Sequence, residues 1–194
     1  MKMQVKSYTR NQAIFAVSGL IVAGALLWTL IQVLQTLAHP AQQVAAGAIT
    51  EMPVRDVETR KQAITRYLAA KYHRHVGSVR QYVDLAFREA AKHPDVRPET
   101  LLAMMQKESS LAYKAKSNYG AEGLMQVVRR WHPEKLGRRE SLIDPRVNIR
   151  VGATILQQYI NEKGQLEEAL VKYSGNADGY ADFVMRETKV LQAI

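Results

Sequence analysis

The sequence has no cysteine among its 194 residues. Disulfide bonds, thiolate metal sites and a lipidated cysteine anchor are therefore all excluded. Histidines remain as candidate ligands, but His73, His75, His93 and His132 do not have the spacing of zinc ligands on one helix. We predict neither a metal site nor a cofactor.

Acidic residues are missing from the first fifty positions, where Lys2, Lys6 and Arg10 are the only charged residues. Residues 13–31, AIFAVSGLIVAGALLWTLI, carry no charge, and a spanning helix needs about 20 apolar residues. We predict that residues 1–37 are a single-pass anchor in the inner membrane. The positive-inside rule then places the N-terminus in the cytoplasm and the rest in the periplasm.

A cleavable signal peptide is the alternative interpretation of this segment. Thr-Leu-Ala at 36–38 and Ala-Gly-Ala at 46–48 are acceptable cleavage sites. The apolar run is longer than the roughly 7–15 residues of a signal peptide, which favours the anchor. In both interpretations the remainder of the chain is exported.

Positive charge dominates the exported part as well. The chain carries a net charge of +9, which predicts a polyanionic partner such as nucleic acid, anionic lipid or an acidic wall polymer, unless the charge serves solubility alone. Residues 129–140, RRWHPEKLGRRE, could meet either nucleic acid or wall polymer. We interpret them as a solvated face with Trp131 tucked inward, and we expect no nucleic-acid partner because the chain is exported.

Strand patterns are also lacking, whereas helical periodicity recurs along the exported part. Helices are predicted at the following ranges: 53–72, from 78 to before 93, 99–109, within 142–164, 165–173 and 180–191. Ser78 is the predicted N-cap of the second, and a short helical turn is predicted around 124–130. We therefore expect a mainly α domain at residues 78–194, either all-α or α with a token hairpin. It follows a linker and juxtadomain helix at 38–77, which either packs on the domain or only spaces it from the membrane.

One carboxylate falls on an apolar helix face. Glu108 shares the face of Leu101, Met104 and Met105, because residues three and four apart are neighbours on a helix. Burial and the negative end of the helix dipole both disfavour the charged form of Glu108. A carboxylic acid that stays protonated near neutral pH can serve as a general acid for glycoside cleavage. The alternative is a glutamate that reaches water or pairs with a basic residue.

The sequence contains the segments LLAMMQKESS, SNYGAEGLMQV and ALVKYSGN. They resemble the signatures of the family 1 lytic transglycosylases, whose SLT catalytic domain has a goose-lysozyme-like α fold, and the resemblance covers about residues 78–190. It implies that Glu108 is the catalytic acid. The other residues that it places at the glycan are Ser109, Ser117, Gly123, Leu124, Met125, Gln126 and Tyr173.

Tyr173 is expected from the resemblance to hydrogen-bond the catalytic carboxyl. The family's third motif, Ala-Tyr-Asn, reads Lys172-Tyr173-Ser174 here, so one sugar contact differs. Two further acids are candidates for a second carboxylate: Glu122 is interpreted as solvated and Asp144 as a helix cap.

The implied reaction cleaves the β-1,4 bond between N-acetylmuramic acid and N-acetylglucosamine with formation of a 1,6-anhydro end. It needs one glutamate because the substrate's acetamido group assists. A lysozyme-type hydrolase and a non-catalytic peptidoglycan-binding or assembly module are the alternatives. The expected partner is the glycan strand of peptidoglycan. Local opening of the wall for a secretion, conjugation, pilus or phage apparatus and housekeeping turnover are both allowed.

Overall fold

Six α-helices and one two-stranded hairpin make up the part of the chain that the computed structural model describes, residues 54–194. The helices are α1 (Val54–Tyr72), α2 (Val76–Ala90), α3 (Pro98–Ser109), α4 (Pro145–Lys163), α5 (Leu166–Tyr173) and α6 (Tyr180–Gln192). The strands β1 (Ala121–Glu122) and β2 (Val127–Val128) pair antiparallel. The predicted mainly α class is confirmed, whereas the predicted anchor at 1–37 and the linker up to residue 53 lie outside the described residues.

Within residues 54–194, none of the helices combines the length and the apolar character that crossing a bilayer requires.

Helix boundaries follow the capping chemistry of the sequence in three of four cases. Pro98 begins α3, Asp144 caps α4 by accepting a hydrogen bond from Arg146 N, and Gly164 ends α4 with a φ of 78°. The predicted N-cap at Ser78 is wrong. The amides of Ser78 and Val79 both donate to the carbonyl of His75 at 3.1 Å, so α2 already begins at Val76.

The segment 124–130 forms a hairpin turn and strand instead of the predicted helical turn. Gly123 and Gln126 have φ angles of 80° and 46°, which a right-handed helix does not accept. β2 and a single 3-10 turn at Arg129–Trp131 follow. Gly123–Gln126 is thus the connection of the hairpin, with Ala121 opposite Val128 and Glu122 opposite Val127.

Helix α3 lies at the centre of the domain. Its residues from Glu99 to Gln106 are all buried, and Leu101, Leu102, Met104 and Met105 have no exposed surface. α3 packs against α2 and α6, while α4 packs against α2 and α5. The helix that carries Glu108 is therefore held on several sides, which fixes the direction in which its C-terminal end points.

Helix α1 packs on this domain, which answers the question that the sequence left open for residues 54–72. Ile64 and Leu68 have no exposed surface. Arg60 lies 2.8 Å from Glu99 of α3 and donates to the carbonyl of Leu191 in α6. Lys71 lies 2.6 Å from Glu187 of α6 and donates to Gln106 of α3. Long polar side chains therefore tie α1 to both helices.

Arg60→Ala is expected to lower the free energy of unfolding by about 3 kcal/mol, because it leaves the Glu99 carboxylate buried without its partner. Arg80→Ala is the matched control, since its partners Glu58 and Asp84 are only half-buried and remain in contact with solvent, and it is expected to cost less than about 1 kcal/mol. Urea unfolding followed by circular dichroism measures both. Equal losses would show that Glu99 does not depend on Arg60.

Candidate active site

Glu108 lies in the last turn of α3, where the chain turns away from the helix. Ser110 and Leu111 both have left-handed backbones, with φ angles of 49° and 59°. Glu108 itself is half-buried. The hydroxyl of Tyr180 donates a hydrogen bond to Glu108 Oε1 at 2.6 Å.

Tyr180 is the residue that sequence reasoning missed. It is the first residue of α6 and only 4% of it is exposed. The sequence signal was its position directly after Gly179, whose φ of 67° lets the loop turn sharply into α6. A tyrosine at this point can face α3, because α3 and α6 pack against each other.

Burial raises the pKa of Glu108 to about 7. The hydrogen bond from Tyr180 and the charge of Lys107 lower this pKa, but by less than burial raises it. The carboxyl group is therefore about half protonated at neutral pH. This is the protonation behaviour that a general acid needs near its operating pH.

Tyr180→Phe is expected to shift the alkaline limb of the pH–rate profile of a Glu108-dependent activity to higher pH by about 1 unit. The hydroxyl stabilises the charged carboxylate, so its loss raises the pKa of Glu108 and keeps the acid protonated to higher pH. The pH profile of the initial rate measures the shift. Tyr173→Phe is the control and should leave the limb in place; a limb unmoved by Tyr180→Phe would contradict the assignment.

Tyr173 has a different partner from the one that the resemblance implied. Its hydroxyl donates to the backbone carbonyl of Met125 at 3.0 Å, and the hydrogen bond to Glu108 comes from Tyr180 instead. Burial and, after it, the charge of Glu108 raise the pKa of Tyr173. Tyr173 thus holds the hairpin connection in place.

Ser109 makes a second link between α3 and the hairpin. Its hydroxyl lies 2.9 Å from the carbonyl of Leu124 and 3.1 Å from that of Met105. Ser117 lies in the loop before β1, where its hydroxyl accepts a hydrogen bond from Ala121 N at 3.0 Å. Both serines supply local hydrogen bonds, and each is only half-buried.

The four residues of the hairpin connection do not all face the same way. Gly123, Leu124 and Met125 are buried, and the last two have no exposed surface. Gln126 is half-buried and donates from Nε2 to the carbonyls of Gly123 and Ala115. Among these four residues, which were all predicted to contact the glycan, Gln126 alone has a side chain that is accessible to it. Leu124 and Met125 are buried and stabilise the loop by packing.

Asn148 fixes this connection from α4. It has no exposed surface, and its side-chain Oδ1 accepts a hydrogen bond from Met125 N at 2.7 Å. Its Nδ2 donates to the carbonyls of Glu122 and Leu142. One buried amide therefore binds both ends of the turn, a role that the apolar periodicity of α4 does not indicate.

The two other candidate acids are engaged elsewhere. Glu122 pairs with Lys116 at 2.9 Å, and Asp144 caps α4 and pairs with Arg146. Ser174, which replaces the family's asparagine, accepts a hydrogen bond from Ala177 N and donates to the carbonyl of Val171. It thereby stabilises the loop between α5 and α6, which precedes Tyr180.

A comparison with protein families gives one result. The family model described as "Transglycosylase SLT domain" matches residues 85–180. This range contains Glu108, the hairpin, Asn148, Tyr173 and Tyr180, and it leaves α1 outside. No curated protein and no solved structure matches the sequence significantly.

Proposed function

Because the chain carries a transglycosylase SLT domain at residues 85–180, we propose that it is a peptidoglycan lytic transglycosylase with a lysozyme-like fold and that Glu108 is its single catalytic acid. The observation that carries the proposal is the state of Glu108. It is half-buried, its pKa is raised to about 7, and Tyr180 holds it at 2.6 Å.

In the first step, protonated Glu108 gives its proton to the glycosidic oxygen between N-acetylmuramic acid and N-acetylglucosamine. The bond from C1 to that oxygen breaks, and the 2-acetamido oxygen of the muramic acid residue stabilises C1. The second carboxylate of an ordinary glycosidase is not required, in keeping with the engagement of Glu122 and Asp144 in ion pairs.

In the second step, the Glu108 carboxylate takes the proton of the C6 hydroxyl of the same sugar. O6 then bonds to C1, which closes the 1,6-anhydro ring and returns Glu108 to its protonated form. No water is consumed. Tyr180 stabilises the carboxylate between the two steps by hydrogen bonding, and Gln126 offers polar contacts to the sugar.

The products of peptidoglycan digestion test this function. Purified sacculi are incubated with the full chain, and the soluble muropeptides are identified by mass spectrometry. Anhydro-muropeptides are the expected product. Reducing-end products, heavier by one water, would indicate a lysozyme-type hydrolase, and binding without any product would indicate a binding or assembly module.

We also propose that residues 13–31 anchor the chain in the inner membrane with the SLT domain in the periplasm. The uncharged run and the three preceding positive charges support this placement. A chain that stays in the membrane pellet after alkaline extraction and is digested by protease in spheroplasts would agree with it. Release into the soluble fraction would favour signal cleavage. At such a location the activity would suit local opening of the wall for an envelope-spanning apparatus.

A further inference from the structure

Trp131 points outward, against the expectation from the sequence. It is 63% exposed, although the sequence suggested an inward position. The residue ends the 3-10 turn that follows β2, and this turn is held by a hydrogen bond from Arg129 Nη2 to the carbonyl of Glu140. A large aromatic side chain is thus presented to solvent on a fixed turn directly after the hairpin.

Trp131 lines the same groove as two residues of the candidate active site, Gln126 and Tyr173. His132, Tyr159 and Lys172 lie in the wall of this groove as well. Single exposed hydrophobic residues are common on protein surfaces and need no explanation. An exposed tryptophan in a groove shared with the candidate site is a different case, since ligand sites are concave and rich in aromatic side chains.

A series of rings connects the candidate site with the position of Trp131. The ring of Tyr173 lies edge-on to that of Tyr159, with centroids 6.4 Å apart, and Tyr159 lies 6.3 Å from the ring of His132. His132 follows Trp131 in the chain. The groove wall is therefore continuous from Tyr173 to the turn that carries Trp131.

The polar groups of this wall suit hydroxyl and amide groups. Burial lowers the pKa of His132, which favours its neutral imidazole, a group with one donor and one acceptor. Lys172 Nζ lies 4.3 Å from the centre of the Tyr159 ring and pairs with Glu162. Lys172 stands where the motif of the resemblance has alanine, so the ammonium group is an addition to that motif.

We propose that Trp131, together with His132 and Tyr159, forms a sugar subsite that binds a pyranose ring beyond the two sugars joined by the cleaved bond. This inference rests on the proposed function for the identity of its ligand, an N-acetylated glycan strand. The apolar face of the ring stacks on the indole. Arg130 lies 5.4 Å from the indole and supports it through a cation–π contact.

Intrinsic fluorescence makes this subsite directly measurable. The chain has two tryptophans, so Trp28→Phe leaves Trp131 as the single reporter in the full chain. Glu108→Gln is added to prevent turnover, and N-acetylglucosamine oligomers of two to six sugars are titrated. We expect a saturable change in Trp131 emission with the longer oligomers and little change with the disaccharide.

Affinity measured by calorimetry provides the second readout. Trp131→Ala is expected to weaken binding of the hexasaccharide about tenfold and binding of the disaccharide hardly at all. Trp131→Tyr should recover most of the loss because a ring remains. Tyr119→Ala is the matched control, since Tyr119 is 77% exposed and is not among the residues that line this groove.

The outcomes separate this subsite from the proposed function. Equal affinities of Trp131→Ala and the parent for every oligomer would overturn the subsite, as would a Trp131 signal that responds to single-stranded oligonucleotides and not to sugars. If the unmodified chain still releases anhydro-muropeptides, the function survives that loss. Conversely, length-dependent binding through Trp131 without any cleavage by the unmodified chain would support the subsite and overturn the function.

Discussion

Glu108→Gln is expected to reduce the rate of muropeptide release by about three orders of magnitude, within the range that a general acid contributes. Glutamine keeps the size of the side chain and can still accept the hydrogen bond from Tyr180. It cannot donate a proton to the leaving oxygen or remove one from the C6 hydroxyl. Initial rates on purified peptidoglycan measure the loss, with soluble products counted by mass spectrometry.

Glu122→Gln is the matched control for that measurement. The substitution is chemically the same, but Glu122 lies on β1 and pairs with Lys116 at 2.9 Å. It is expected to keep the rate within about a factor of three, since an ion pair between a half-buried Glu122 and an exposed Lys116 contributes little. If Glu108→Gln retained a comparable rate, another group would have to supply the proton and Glu108 would be a structural residue.

The same Glu108→Gln substitution should make the domain more stable at alkaline pH. The pKa of Glu108 is raised from 4.5 to about 7 in the folded chain. As pH rises through this window, the unfolded chain ionises Glu108 before the folded chain does, so the wild-type protein loses stability and then stays at the lower level above pH 7. The loss has an upper bound of about 3 kcal/mol.

Urea unfolding at pH 4 and pH 8 measures this effect. The free energies of unfolding of the wild type and of Glu108→Gln should differ least at pH 4. Between pH 4 and pH 8 the wild type should lose more of this free energy than the variant does. A variant that is less active and more stable would show that burial of the acid costs folding free energy in return for its protonated state, a trade-off common at active sites. An equal response of the two proteins to pH would contradict the raised pKa.

The helices and the position of Glu108 were predictable because both follow from local patterns. Apolar spacing of three and four residues marks α3, and Pro98 and Gly164 mark helix ends whatever the rest of the chain does. The sequence also placed Glu108 among apolar neighbours, and its raised pKa follows from that surrounding.

Three features were not predictable in the same way: the contact of Tyr180 with Glu108, the contact of Asn148 with the hairpin, and the exposure of Trp131. Each depends on which elements pack together. Tyr180 reaches Glu108 across the contact of α6 with α3, and Asn148 reaches the hairpin from α4. The helical turn predicted at 124–130 failed for the same reason, because Asn148, which is distant in sequence, accepts a hydrogen bond from Met125 N and donates one to the carbonyl of Glu122.

Gly123→Ala is expected to destabilise the domain by about 4 kcal/mol or more. Its φ of 80° is unfavourable for any residue with a side chain, which alone costs about 1–2 kcal/mol. A Cβ at this position would also lie 2.3 Å from the backbone carbonyl of Leu142 and 2.4 Å from Asn148 Nδ2. To relieve this steric overlap, the hairpin would have to move and lose its hydrogen bonds to the buried amide of Asn148.

Two other glycines distinguish the cost of the backbone conformation from the cost of steric overlap with the added Cβ. Gly120 has nearly the same φ, 83°, but a Cβ there would have nothing within 4 Å, so Gly120→Ala should cost only about 1–2 kcal/mol. Gly152 lies in α4, and a Cβ there would lie 2.4 Å from Met125 Sδ. A methionine side chain can repack, so Gly152→Ala should fall between the other two.

Urea unfolding of the three variants tests this order, and the rate of muropeptide release adds a second measurement. Gly123 sits one residue before Leu124 and two before Met125, whose carbonyls bind Ser109 and Tyr173. Displacement of the hairpin should therefore disturb the surroundings of Glu108 as well as the fold. If Gly123→Ala and Gly120→Ala were equally stable and active, the close approach of Asn148 and Leu142 to this glycine would not be needed to hold the hairpin against α3.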